Sequence, residues 1–199
     1  LIAIELLNRA ADLVAPAAAA DSITSFAAPI ITQIYAYLAG ANQHRGLYVE
    51  ADRWARRTLE FGTAHNVLFA EAAGFEYLGE DAIHKGEFQA GLEYAARELE
   101  IVNRLHSRER RVWTHFIAAM CSFHAGDSER AESEFTEGIS LAESIGELRA
   151  TSLLKGNFAI LLADKASHIA TESVTGRVES QRLFDEALQT GLENFRAGE

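Results

Sequence analysis

His84-Lys85-Gly86-Glu87-Phe88-Gln89-Ala90-Gly91-Leu92-Glu93-Tyr94-Ala95 decides the fold, because the chain repeats its pattern forty residues earlier and forty residues later. A histidine stands two places before a glycine each time: His44 and Gly46, His84 and Gly86, His124 and Gly126. The same register aligns Ala51, Gly91 and Ala131, then Ala55, Ala95 and Phe135, then Leu59, Leu99 and Ile139. Before the glycines it aligns Tyr37, Tyr77 and Ile117, Leu38, Leu78 and Ala118, and Ala39, Gly79 and Ala119. A period of this length is the mark of stacked helical hairpins, each burying its apolar face against its neighbours. Each glycine is expected at the turn inside a hairpin, where a left-handed backbone costs glycine little.

Working outward from this core, apolar residues recur at helical spacing and alternating β-branched runs are scarce. The only prolines of the 199 residues are Pro16 and Pro29, so a long proline-free stretch is left for helices. The expected fold is all-α: a right-handed solenoid of antiparallel helix hairpins forming one domain over 1–199. Residues 1–28 read as the leading helix of a truncated repeat, with Ala11 and Ala15 answering Ala51 and Ala55. Four repeats follow, at 29–65, 66–106, 107–146 and 147–199. In the fourth, Phe184, Ala187 and Leu188 answer Phe135, Gly138 and Ile139 at an offset of forty-nine. Nine extra residues are therefore expected as a polar loop near 166–176, either tolerated surface or functional. Pro29 is expected at the first position of its helix, and Asp127 and Glu87 at helix starts. The chain opens on Leu1 within an amphipathic pattern and reads as a piece of a longer protein.

Composition narrows the function. The chain is 48% hydrophobic and 24% charged, as folded domains are. Its 29 acidic and 18 basic residues give a net charge of −11, which argues against general affinity for nucleic acid or anionic lipid and for a neutral or basic partner. The cluster Arg104, His106, Arg108, Arg110 and Arg111, broken by Glu109, reads as a solvated turn between repeats, with a phosphate or acidic-peptide contact as the alternative. Cys121 is the single cysteine, so a reducing compartment, the cytoplasm, is expected. Neither a signal peptide nor a membrane-spanning run is seen.

Within each repeat the pattern resembles the tetratricopeptide repeat: Phe75, Leu78, Gly79, Ala82, Gly86, Phe88, Gly91 and Ala95 show it best. Tyr35, Leu38, Ala39, Gly46, Tyr48, Ala51 and Ala55 follow it, as do Ala118, Ala119, Gly126, Ala131, Phe135 and Gly138, with His115 replacing a large apolar residue. The period is forty rather than thirty-four, and the proline that commonly closes such repeats is missing. Longer repeats of this kind, including the phrase from Ile139 to Gly146, are similar to sensor arrays of large bacterial signal-transduction ATPases and of regulators related to the maltose-regulon activator. The resemblance implies a non-catalytic module that binds a protein or peptide, the sensor or scaffold part of a larger bacterial regulator. A small-molecule sensor and a self-associating module are the alternatives.

The resemblance also implies that first helices face a concave groove. The groove positions are then Gln33, Ala36, Gly40 and Gln43, then Ala73, Glu76, Glu80, Ile83 and the adjacent His84, then Trp113, Phe116, Met120 and Phe123. Partner contact is expected from Trp113, Phe116, Met120, Phe123, Glu76, Glu80 and His84. The third-repeat stripe has a competing reading as core, since packing alone produces apolar stripes. No catalytic residue, cofactor or metal is expected. The three histidines lie on successive hairpins roughly 10 Å apart, whereas zinc needs nitrogens at about 2 Å. Cys121 and His124 could share a helix face, but a small buried filler is the better reading of Cys121.

Overall fold

The computed structural model describes residues 2–20, 23–169 and 174–197, and among them every regular element is helical. In chain order these are α1 (Ile2–Ala18), α2 (Ala27–Gln43), α3 (Tyr48–His65), α4 (Leu68–Lys85), α5 (Phe88–Leu105), α6 (Arg108–His124), α7 (Ser128–Ile145), α8 (Leu148–Ile169) and α9 (Val174–Ala197). The all-α expectation holds. The chain divides into two compact units, Leu1–Ser107 and Arg108–Glu199, and the division falls between the second and third repeats.

In the amino-terminal unit each helix packs on the next from α1 to α5, and α2 also touches α4. Its core gathers Ala11, Ile31, Tyr35, Leu38, Trp54, Ala55, Phe61 and Leu78, with Tyr35 between Trp54 at 5.4 Å and Phe61 at 6.2 Å. In the carboxy-terminal unit α6 to α9 pack in the same consecutive way, with α6 touching α8. Ala131, Phe135, Gly138 and Ala142 form the buried stripe of α7, spaced four, three and four residues apart as one helix face requires. Phe135 meets Phe158 of α8 at 5.8 Å.

Two series of turns share one conformation. Gly46, Gly86 and Gly126, inside the hairpins, have φ of +72°, +76° and +84°. Between hairpins Asn66, His106 and Gly146 have φ of 54°, 51° and 71°, a second forty-residue series not noticed in the sequence. At Gly86 the N–H bonds to the Ile83 carbonyl and that of Glu87 to Ala82, and Gly46, His106, Gly126 and Gly146 repeat this pairing one residue at a time. These bonds satisfy carbonyls that a helix end leaves open. A Cβ placed on Gly86 would meet only Phe88 Cζ, at 3.9 Å. The cost of Gly86→Val is therefore conformational, expected at about 1 kcal/mol or more. His106→Gly at the matching turn should range from neutral to about 1 kcal/mol stabilising, because relief of backbone strain is offset by the freer unfolded chain. Urea midpoints of the two variants should move in opposite directions or, for His106→Gly, stay put.

The helix starts differ from expectation in three places. Pro29 is the third residue of α2, where its missing N–H is still harmless, and the cap comes from Thr24, whose Oγ1 accepts from the Ala27 N–H at 3.1 Å. Asp127 caps α7 by accepting from the Arg130 N–H at 3.1 Å, but Glu87 makes no such side-chain bond. The expected loop near 166–176 is largely helix: α8 runs to Ile169 and α9 starts at Val174, with residues 170–173 outside the described ones. The extra residues lengthen the two helices to 22 and 24 residues, against 17 or 18 for the others. Ala166 is buried with Leu162, Leu183 and Ala187, and the Ser180 hydroxyl donates to its carbonyl at 2.8 Å, so packing on α9 holds the added turns.

Candidate functional site

The stripe on α6 follows from which residues the hairpin can bury. Val112, Ile117, Ala118, Ala119, Cys121 and Ser122 turn inward and are buried. His115 stands at a core position half-buried, its Nδ1 2.8 Å from Glu134 Oε2 on α7, so a polar residue there is held by a partner. Ala118, Ala119, Cys121 and Ser122 on the inner face let the neighbouring helices approach, and the aromatic and methionine side chains are left at the rim. Trp113, Phe116, Met120 and Phe123 are each half-buried, one edge against the core cluster of Phe135 and Leu154 and the other towards solvent. The two readings of the stripe thus meet: it rests on the core and it is also surface. Trp113 and Phe116 pack edge to face at 6.1 Å, and the Arg149 guanidinium of α8 lies 5.3 Å from the Trp113 ring centre. That distance is within cation–π range.

The amino-terminal unit uses its first helices differently. Ala36, Gly40, Gln43 and Ala73, expected on a groove, are buried, because α2 and α4 pack directly on one another. A Cβ on Gly40 would sit 3.0 Å from Tyr77 Cε1, and Gln43 donates to Glu80 Oε2 at 2.8 Å. Glu76 and Glu80 are half-buried and His84 is exposed, its ring stacked on Tyr48 at 5.2 Å. Beside them Lys85 Nζ lies 2.5 Å from Asp81 and 3.1 Å from Asp52, and Arg56 holds Asp52 at 2.6 Å. Burial raises the Asp81 carboxyl above its ordinary pKa, with Lys85 opposing it. Burial also works to raise Asp52, but hydrogen bonds from Arg56 and Lys85 outweigh it and hold that carboxyl low. Asp52 and Asp81 are thus tied into a network that joins α3 to α4.

Cys121 is fully buried, and burial pushes its thiol up to about 11, so it stays protonated at neutral pH. His124, three residues on, is exposed. Among the described residues no three His, Cys, Asp or Glu side chains converge on a point that could hold a metal ion. No helix among them is long and apolar enough to cross a membrane. Comparison of the chain with family models and with curated proteins gives no match.

One part of the surface was not anticipated. An open cleft of about 570 Å³ lies at the α7–α8 turn, with Arg108, Ile145, Leu148 and Arg149 on its walls. Its place was readable in principle, since Gly146 continues the series of Asn66 and His106, but nothing in the sequence set Arg149 against Trp113.

Proposed function

We propose that the chain is a non-catalytic module of the tetratricopeptide kind, which binds a protein or peptide segment in a larger bacterial regulatory protein. One observation carries the reading: α6 holds Trp113, Phe116, Met120 and Phe123 half-exposed over the core cluster of Phe135 and Leu154. Aromatic and methionine side chains fixed by packing and open on one edge are the surfaces that anchor partners, because little side-chain freedom is lost on contact. Over ten residues of helix the stripe is about 15 Å long, which suits a peptide or helix rather than a single small metabolite. The buried, protonated Cys121 fits a reducing compartment, the cytoplasm.

The test compares wild type with a Trp113→Ala, Phe116→Ala double variant in affinity capture from the source cells, with helicity checked by circular dichroism. A partner held by wild type and released by a variant of unchanged helicity is the expected result, with a loss of about 2 kcal/mol or more of binding free energy. Equal retention by both proteins would remove the stripe as the site.

A further inference from the structure

We propose that the cleft at the α7–α8 turn receives the side-chain carboxylate of an acidic peptide, whose neighbouring apolar residue lies on Leu148 and the Trp113–Arg149 pair. This rests on the peptide-binding reading of the stripe and adds the charge of the occupant. The cleft is lined by Arg108, Arg149, Ile145, Leu148, Glu109 and Glu147, and Leu148 is 71% exposed.

The argument starts from the arginines. In a chain with 29 acidic residues, guanidinium groups find carboxylates readily: Arg53 pairs with Glu50, Arg56 with Asp52, Arg97 with Glu100, Arg130 with Glu134 and Arg182 with Glu179. The two on the cleft are not paired in this way, and neither is Arg57, which lies over the Tyr35 and Trp54 rings. Arg108 donates to Ser144 Oγ at 2.6 Å and Arg149 lies on the Trp113 ring, and neither has a carboxylate within ion-pair distance among the described residues. A guanidinium held against a ring by cation–π attraction can still offer N–H groups for two parallel bonds to a carboxylate.

The other lining residues select the kind of anion. Glu109 and Glu147 border the same cleft, so a dianionic phosphate would meet more repulsion there than a carboxylate with a single charge. Glu147 Oε2 is itself buried, so the exposed charges on the cleft are Arg108, Arg149 and Glu109, two cations to one anion. Ile145 and Leu148 supply an apolar wall within one side chain of the cations. Trp113 continues that wall into the stripe of α6, so an occupant with apolar residues flanking its acid would be read by both surfaces. The net charge of −11 opposes acidic partners at long range, but salt screens that field beyond about 8 Å and leaves the local contact.

The experiment uses the full chain and two blocked peptides, acetyl-Leu-Asp-Leu-Phe amide and its asparagine counterpart, followed by calorimetry and by NMR of the arginine side chains. Wild type is expected to bind the aspartate peptide about tenfold tighter than the asparagine one. An Arg108→Gln, Arg149→Gln variant should lose that preference and still bind the asparagine peptide as wild type does. Arg149→Lys, which keeps the charge but not the fork, should lose most of it. Three outcomes overturn the proposal: equal binding of both peptides by wild type, an undiminished preference in the arginine variants, or displacement of the aspartate peptide by phosphate but not by acetate. The Trp113→Ala, Phe116→Ala variant separates the two readings. If it retains the aspartate preference with undiminished affinity, the stripe reading fails. If it loses both peptides while the arginine variants change nothing, only the carboxylate assignment fails.

Discussion

Gly74→Ala is expected to destabilise the amino-terminal unit by about 3 kcal/mol or more. The added Cβ would stand 2.6 Å from Leu59 Cβ and 2.8 Å from the Leu59 Cα and backbone nitrogen. No rotamer relieves a clash with backbone, so α3 and α4 must move apart along their whole contact, and the Asp52–Lys85–Asp81 link must stretch with them. Gly62, whose Cβ would lie 2.5 Å from the Glu71 nitrogen, marks the same close approach nearer the turn. The two tryptophans fall one to each unit, Trp54 in the first and Trp113 in the second. Urea unfolding of Gly74→Ala in a Trp113→Phe background therefore reports on the damaged unit alone. An unchanged midpoint would mean that α3 and α4 are not packed as closely as described.

Phe135→Ala is expected to cost the carboxy-terminal unit about 3–5 kcal/mol. The ring is fully buried on α7, meets Phe158, and belongs to the cluster that supports the edges of Trp113 and Phe116. Removing it leaves a cavity that the neighbouring Gly138 and Ala131 cannot fill. Phe135→Leu, which keeps most of the volume, should cost under about 1.5 kcal/mol. The measurement is urea unfolding followed by Trp113 fluorescence in a Trp54→Phe background. Equal losses for the alanine and leucine variants would show that shape rather than volume matters there. Because the stripe of α6 rests on this cluster, Phe135→Ala should also weaken partner capture without touching any exposed residue.

The repeats were legible because packing writes itself into residue size. Ala51, Ala55, Ala131 and Gly138 had to be small where helices approach, and the turn glycines had to be glycine or close to it, so the register showed through. Asn66 and His106 hid the second series of turns, since both tolerate the left-handed conformation without announcing it. The lengthening of α8 and α9 was missed because Ser167 and His168 look like loop residues, whereas their neighbour Ala166 is buried against α9. The aromatic stripe was visible as a pattern, and its half-exposure follows from Ala118, Ala119 and Ser122 taking the inner side. Arg149 is forty residues along the period from Glu109, so the register gave no hint of a cation there. Its contact with Trp113 joins α8 to α6 and exists only once the hairpins have packed.

The matching backbone at Asn66, His106 and Gly146 bears on how the chain can change length. A hairpin copied or deleted between any two of these codons rejoins the chain through a turn of the same shape, so the protein can change length by whole hairpins without inventing a new connection. His44, His84 and His124 keep the same forty-residue step, are exposed and form no metal-binding group among the described residues. The surroundings of the three differ even so: Tyr48 stacks on His84, while Ser128 stands forty residues on from Phe88 where the register places an aromatic.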